Sequence, residues 1–222
     1  MPPQTLYKTV GNNYKMNKNS IEESRLLESI WLKPKQTLKF ILDRCPDKYV
    51  TGLLFLGGIS RAIDRASNNG SGDNMETWLV LTIAITIGGF FGWISFYIYA
   101  WAMSATGKWL DGKADSERFR TILAWSLVPT IASLVLLLPE LVIFGDDLFK
   151  STISNNSDAV TYSYLIFGLL EISLAIWSLI ILVKGITIIQ NFSIGKSVLN
   201  MILPGLVLIL PIIIIALIFQ TF

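Results

Sequence analysis

No histidine occurs among the 222 residues, and cysteine occurs once, as Cys45. Histidine is the commonest metal ligand and the side chain that titrates nearest neutrality, so metal-dependent hydrolysis and histidine-based triads lack their usual parts. A single cysteine excludes an intramolecular disulfide. Charge is scarce too: Asp, Glu, Lys and Arg make up 15% of the chain, with a net charge of +2. Without a basic tract or a nucleic-acid motif, no nucleic-acid partner is expected. The segment "GKADS" (112–116) holds only fragments of a phosphate loop, with no Gly-rich run feeding a Lys-Ser pair, which excludes that mode of nucleotide binding. No nucleophile, metal or nucleotide motif is left, so no enzymatic activity, no cofactor and no metal is expected.

What the chain has in abundance is apolar surface. Hydrophobic residues make up 52% and the mean hydropathy is +0.56, more than one soluble core of this size needs. The expected fold class is an all-α integral membrane protein. Residues 1–19 are polar, rich in lysine and asparagine, and lack an apolar centre, so a disordered tail is expected rather than a signal or a span. Met16 is a second candidate start.

Uncharged runs mark the spans. Residues 77–107 are uncharged throughout, longer than the ~20 residues that cross a hydrocarbon core, with Gly88, Gly89 and Gly92 as the expected bend. Further runs cover Thr121–Pro139, continuing past Glu140 to Phe144, then Ala159–Val183, interrupted only by Glu171, and Ser197 to the end. A fifth segment begins with twelve uncharged residues, Tyr49–Ser60, and then carries Arg61, Asp64 and Arg65. Charge placement decides its status, because cytoplasmic segments are enriched in Lys and Arg. If it crosses, 15 basic residues share the side of the N-terminus and 3 lie opposite; if it does not, the split is 12 to 6. Five spans are therefore expected, at about 49–66, 77–105, 120–144, 160–183 and 198–219, with the N-terminus cytoplasmic and the C-terminus outside. No loop is long enough to form a domain of its own.

Residues 20–45 read as an amphipathic segment ahead of the five-span domain of 46–222. Ser20-Ile21-Glu22-Glu23 has capping-box spacing, and Leu26, Leu27, Ile30 and Trp31 follow at helical intervals up to Pro34. Pro34 can open a second helix with Leu38, Ile41, Leu42 and Cys45 on one face and Lys35, Lys39 and Arg44 around it. Such a pair either lies in the headgroup region, anchored by Trp31, Lys33, Lys35 and Lys39, or caps the bundle. The loop 107–120 adds Lys108, Lys113, Arg118 and Arg120, with Trp109 as a further interface anchor.

Three stretches carry a family resemblance: "WLKPKQTLKFIL" (31–42), "FRTILAWSLVPTIASLVLLLPEL" (119–141) and "IIQNFSIGKSVLNMILPGLVLILP" (188–211). With their Trp-x-Lys-Pro entry, Trp-Ser-x-x-Pro and Ser-x-x-Lys leading to a proline-interrupted last span, they resemble bacterial members of the Yip domain family over about residues 29–220. The resemblance implies a five-span protein with a cytoplasmic N-terminus, here in the bacterial inner membrane, and no enzymatic reaction. The Asp-Leu-Tyr-Gly-Pro-like motif of eukaryotic relatives is not found, so a GTPase partner is not expected.

Charges inside spans are costly and face the bundle interior, where they find partners. At a rise of about 1.5 Å per residue, Arg61 and Glu171 lie at matching depths of roughly 18 and 20 Å, and Arg65 and Glu140 within snorkelling reach of each other. Leu54, Gly57, Arg61, Asp64 and Arg65 share one helical face, with Gly57 allowing close approach of a backbone. An internal cluster of Arg61, Asp64, Arg65, Glu140 and Glu171 is the resulting expectation, either as structural ion pairs or as a pathway. Pro129, Pro139, Pro204 and Pro211 are expected helix breaks or kinks. These readings lead to a membrane protein that organises the bilayer or meets other membrane proteins or copies of itself. The alternative is a small transporter, channel or lipid-moving protein using the charged interior.

Overall fold

The computed structural model describes residues 22–152 and 157–220, with side chains described up to residue 209. The expected tail, and Ser20 of the capping box, lie outside them. Every regular element among the described residues is helical.

Helix α1 spans Leu26–Leu32 and α2 spans Pro34–Arg44. Pro34 opens α2, where its missing N–H would have had no helical partner. Of the two placements open to this pair, its apolar face takes the bundle: Leu26, Ile30, Leu38 and Ile41 are at most 1% exposed, in the same core as the long helices. Lys33, Lys35, Lys39 and Arg44 point away from that core, beside exposed Leu27 and Leu32.

Helix α3, Val50–Asn68, runs through the centre of the bundle and buries Leu53, Leu54, Gly57, Gly58, Ile59, Ser60 and Ile63. It packs on α5 (Gly89–Gly107), α6 (Ser116–Ser126) and α7 (Val128–Phe144). α4, Thr77–Ile83, joins α5 through a π-helical turn, Ala84–Gly88, so the helix widens just before the glycines expected to bend it. Those glycines serve contact instead: a Cβ on Gly58 would stand 2.8 Å from the Gly88 carbonyl oxygen and 2.9 Å from Gly92 Cα. Close approach of backbones thus belongs to Gly58, not to Gly57, which faces the side chains of Leu127 and Phe96.

The third apolar run divides into α6 and α7 at Leu127, with Pro129 in the first turn of α7. Pro139 lies inside α7, and Pro204 and Pro211 inside α9 (Ile194–Gln220), all without interrupting the helix. Of the two expectations, a break is not seen at these three positions; the side chain of Pro211 is not among those described. A proline forfeits one hydrogen bond, which a long helix can absorb. α8, Asp158–Gln190, is one uninterrupted helix of 33 residues, capped where the Ser157 hydroxyl accepts from the Val160 amide.

Among the described residues, three helical stretches are long and apolar enough to cross a membrane: Thr77–Leu110, Ser116–Phe149 and Asp158–Gln190, of 34, 34 and 33 residues. Ile194–Ile209 is a shorter apolar helix. α3, with its three charges, falls outside that set but matches it in direction. At one end of the bundle the Thr121 hydroxyl donates to Pro46 O (3.0 Å) and the Asn200 amide to Met103 O (2.9 Å). At the other, Ser67 donates to Leu148 O (2.8 Å) and Thr77 to Asp146 (2.7 Å). The chain therefore passes from one end to the other along α3.

Candidate functional site

Near the end of the bundle remote from α1 and α2, α3, α7 and α8 enclose a cavity of about 270 Å³. Asp64, one turn before the end of α3, Glu140, one turn before the end of α7, and Glu171 of α8 all line it. Ser67 and Asn68 add polar groups, and Phe144, Tyr164 and Phe167 form an aromatic wall. The Phe144 ring meets Tyr164 at 5.2 Å between centroids and Phe167 at 6.1 Å, both nearly edge-on. Glu140 is only 6% exposed. Among the described residues, none of the three carboxylates has an ion-pair partner within 4 Å.

Of the expected five-residue cluster, the three carboxylates line this cavity and the two arginines do not, although Arg61 still acts electrostatically on Asp64. Arg61 is exposed, with its guanidinium over the Phe96 ring at 5.4 Å, and Arg65 is exposed beside a separate hollow between α3 and the π-helical turn. Successive α-helical positions turn by about 100°, so Asp64 and its neighbour Arg65 address different partners, although both lie within one broad face. Matching depth, read from the sequence, fixes height along the bundle but not direction around it.

A second polar feature sits at the Pro129 break and escaped the sequence reading. The Thr130 hydroxyl lies 2.6 Å from that of Ser178 on α8, which also accepts from the Thr130 amide at 3.2 Å. The Ser60 and Ser133 hydroxyls both donate to the Thr130 carbonyl, at 3.1 and 2.7 Å. Four short side chains from α3, α7 and α8 thereby converge at Thr130, beside the proline. The only hint in the sequence was the presence of Ser or Thr in otherwise apolar runs, and such residues more often bond back within their own helix, as Ser173 does to Leu169.

At the opposite end lies the basic surface. Lys33, Lys35, Lys39 and Trp109 are exposed, and Trp31 is half-buried against the core. Lys35 and Lys184 flank an apolar groove between α8 and α9 that is lined by Ile176, Leu179, Ile180 and Val183. Lys48 is held to Glu23 at 2.7 Å, an exposed pair that raises the lysine pKa and ties the chain before α1 to the approach to α3. Among the described residues, no group of three or more acidic, cysteine or histidine side chains is arranged to hold a metal ion.

No curated protein and no solved structure matches the chain. The family model of the Yip1 domain matches residues 29–216, which takes in α2 to α8, most of α1 and nearly all of α9. That span covers more than four-fifths of the sequence, and with its long apolar helices the chain belongs to the Yip1 domain family of membrane proteins.

Proposed function

We propose that this Yip1 domain protein crosses the bilayer five times, by α3, α4–α5, α6–α7, α8 and α9. Its α1–α2 end is cytoplasmic, its C-terminus lies outside, and its setting is a bacterial inner membrane. It acts without catalysing a reaction, by organising the membrane around that end or by holding another membrane protein there. One observation carries this reading: α1 and α2 are fastened to the bundle by Leu26, Ile30, Leu38 and Ile41 while Lys33, Lys35, Lys39, Leu27 and Leu32 stay on the outer surface. A fixed platform of lysines with interspersed leucines suits the headgroup layer of an anionic leaflet, where each basic residue contributes about 1 kcal/mol. Lys184 and the apolar groove beside Lys35 extend the same surface into the acyl region.

Reconstitution tests it. Incorporated into vesicles containing anionic phospholipid, the wild-type protein changes vesicle size or shape relative to vesicles with zwitterionic lipid only. Lys33→Glu combined with Lys35→Glu and Lys39→Glu reduces that change severalfold. Vesicles indifferent to both lipid charge and substitution contradict a membrane-organising role.

Transport is the second reading, and the cavity lined by Asp64, Glu140 and Glu171 favours it. The cavity stops short of the basic end, because the Ser60–Thr130–Ser133–Ser178 contacts close the bundle beneath it.

A further inference from the structure

We infer that the cavity between α3, α7 and α8 binds a small organic ammonium ion. Three carboxylates, Asp64, Glu140 and Glu171, line it, and Glu140 is buried there without an ion pair or hydrogen bond among the described residues. A buried carboxylate keeps its charge only when something compensates it, and no basic side chain lines this cavity, Arg61 acting on Asp64 from outside it. Arg61 is on Phe96, Arg65 faces the neighbouring hollow, and Lys150 pairs with Asp147 at 2.9 Å. A ligand bringing positive charge of its own supplies that compensation.

The walls select its kind. Among the described residues the three carboxylates are not gathered as a group that could hold a metal ion. Phe144, Tyr164 and Phe167 instead offer ring surfaces whose quadrupoles attract cations with carbon substituents. Carboxylates and rings in one lining match an amine or a quaternary ammonium group, free in solution or carried by a lipid headgroup. The volume of about 270 Å³ admits a group of that size. This site rests on the cavity alone; loss of vesicle remodelling with amine binding intact, or the reverse, separates it from the proposed membrane role.

The test uses the purified full chain in a detergent free of ammonium groups. Tetramethylammonium and ethanolamine are titrated at constant ionic strength against sodium, with thermal unfolding as the readout. In parallel the protein is placed in nanodiscs with or without phosphatidylethanolamine. A saturable rise in Tm with either amine assigns a soluble ligand, and a rise confined to phosphatidylethanolamine assigns the headgroup. Glu140→Gln weakens the response at least about tenfold, equivalent to about 1.4 kcal/mol. Phe167→Leu, which leaves every charge in place, weakens it severalfold and serves if Glu140→Gln fails to fold. A wild-type response equal to that of sodium, no response in any arm, or a response unaltered by both substitutions overturns the site.

Discussion

Gly58→Val is expected to lower the stability of the bundle by about 3 kcal/mol or more, the upper range for forcing extra carbon into a packed interior. A Cβ at Gly58 meets Gly88 O at 2.8 Å, Gly92 Cα at 2.9 Å and Gly89 O at 3.0 Å. All three are backbone atoms, so no rotamer change relieves the contact, and α3 must separate from α5. Gly52→Ala is the matched control, since nothing lies within 4 Å of a Cβ at that position. Thermal unfolding in detergent should show a much lower Tm for Gly58→Val and little change for Gly52→Ala. Equal melting of the two variants would mean that α3 and α5 do not meet there.

Ile41→Asp acts on the platform rather than the bundle. Ile41 is fully buried in the core that joins α2 to α6 and α8. Removing its side chain costs about 2–5 kcal/mol by lost packing alone. The carboxylate put in its place adds the cost of burying an unpaired charge. The helix pair α1–α2 relieves both by detaching, at the cost of the burial of Leu26, Ile30 and Leu38. Limited trypsin digestion should then cut rapidly at Lys35 or Lys39, at least about tenfold faster than in the wild type if the opening costs 1.4 kcal/mol less. The long helices remain protected. Lys39→Asp, at an exposed position of the same helix, leaves the remaining sites as slow as in the wild type. Unchanged cleavage in Ile41→Asp would show that the platform is not held by this face.

The long helices were legible because a span must be uncharged over a fixed length, and that length is written directly in the sequence. α3 was harder, since Arg61, Asp64 and Arg65 break its apolar run; only the distribution of basic residues among the loops pointed to a crossing. The site was half legible. Asp64, Glu140 and Glu171 were singled out as intramembrane charges, and they share one cavity. Pairing them with Arg61 and Arg65 failed, because ranking by depth says nothing about azimuth, and a helix has room for one residue to face α7 while the next faces the π-helical turn. The aromatic wall had no sequence signal, since Phe144, Tyr164 and Phe167 look like ordinary lipid-facing residues until α7 and α8 are set side by side. The hydroxyl contacts at Pro129 were invisible for the same reason: Ser60, Thr130, Ser133 and Ser178 belong to three helices whose relative rotation no local pattern fixes.

The crossing of α3 carries the whole topology, and single-cysteine labelling tests it most directly. In a Cys45→Ser background, Lys39→Cys, Asn74→Cys and Lys113→Cys place one thiol each at exposed positions before α3, after α3 and between α5 and α6. With an impermeant maleimide added to intact cells, Asn74→Cys should be modified, while Lys39→Cys and Lys113→Cys react only after the membrane is opened. Modification of Lys39→Cys and Asn74→Cys from the same side would contradict the crossing, and with it the five-span arrangement.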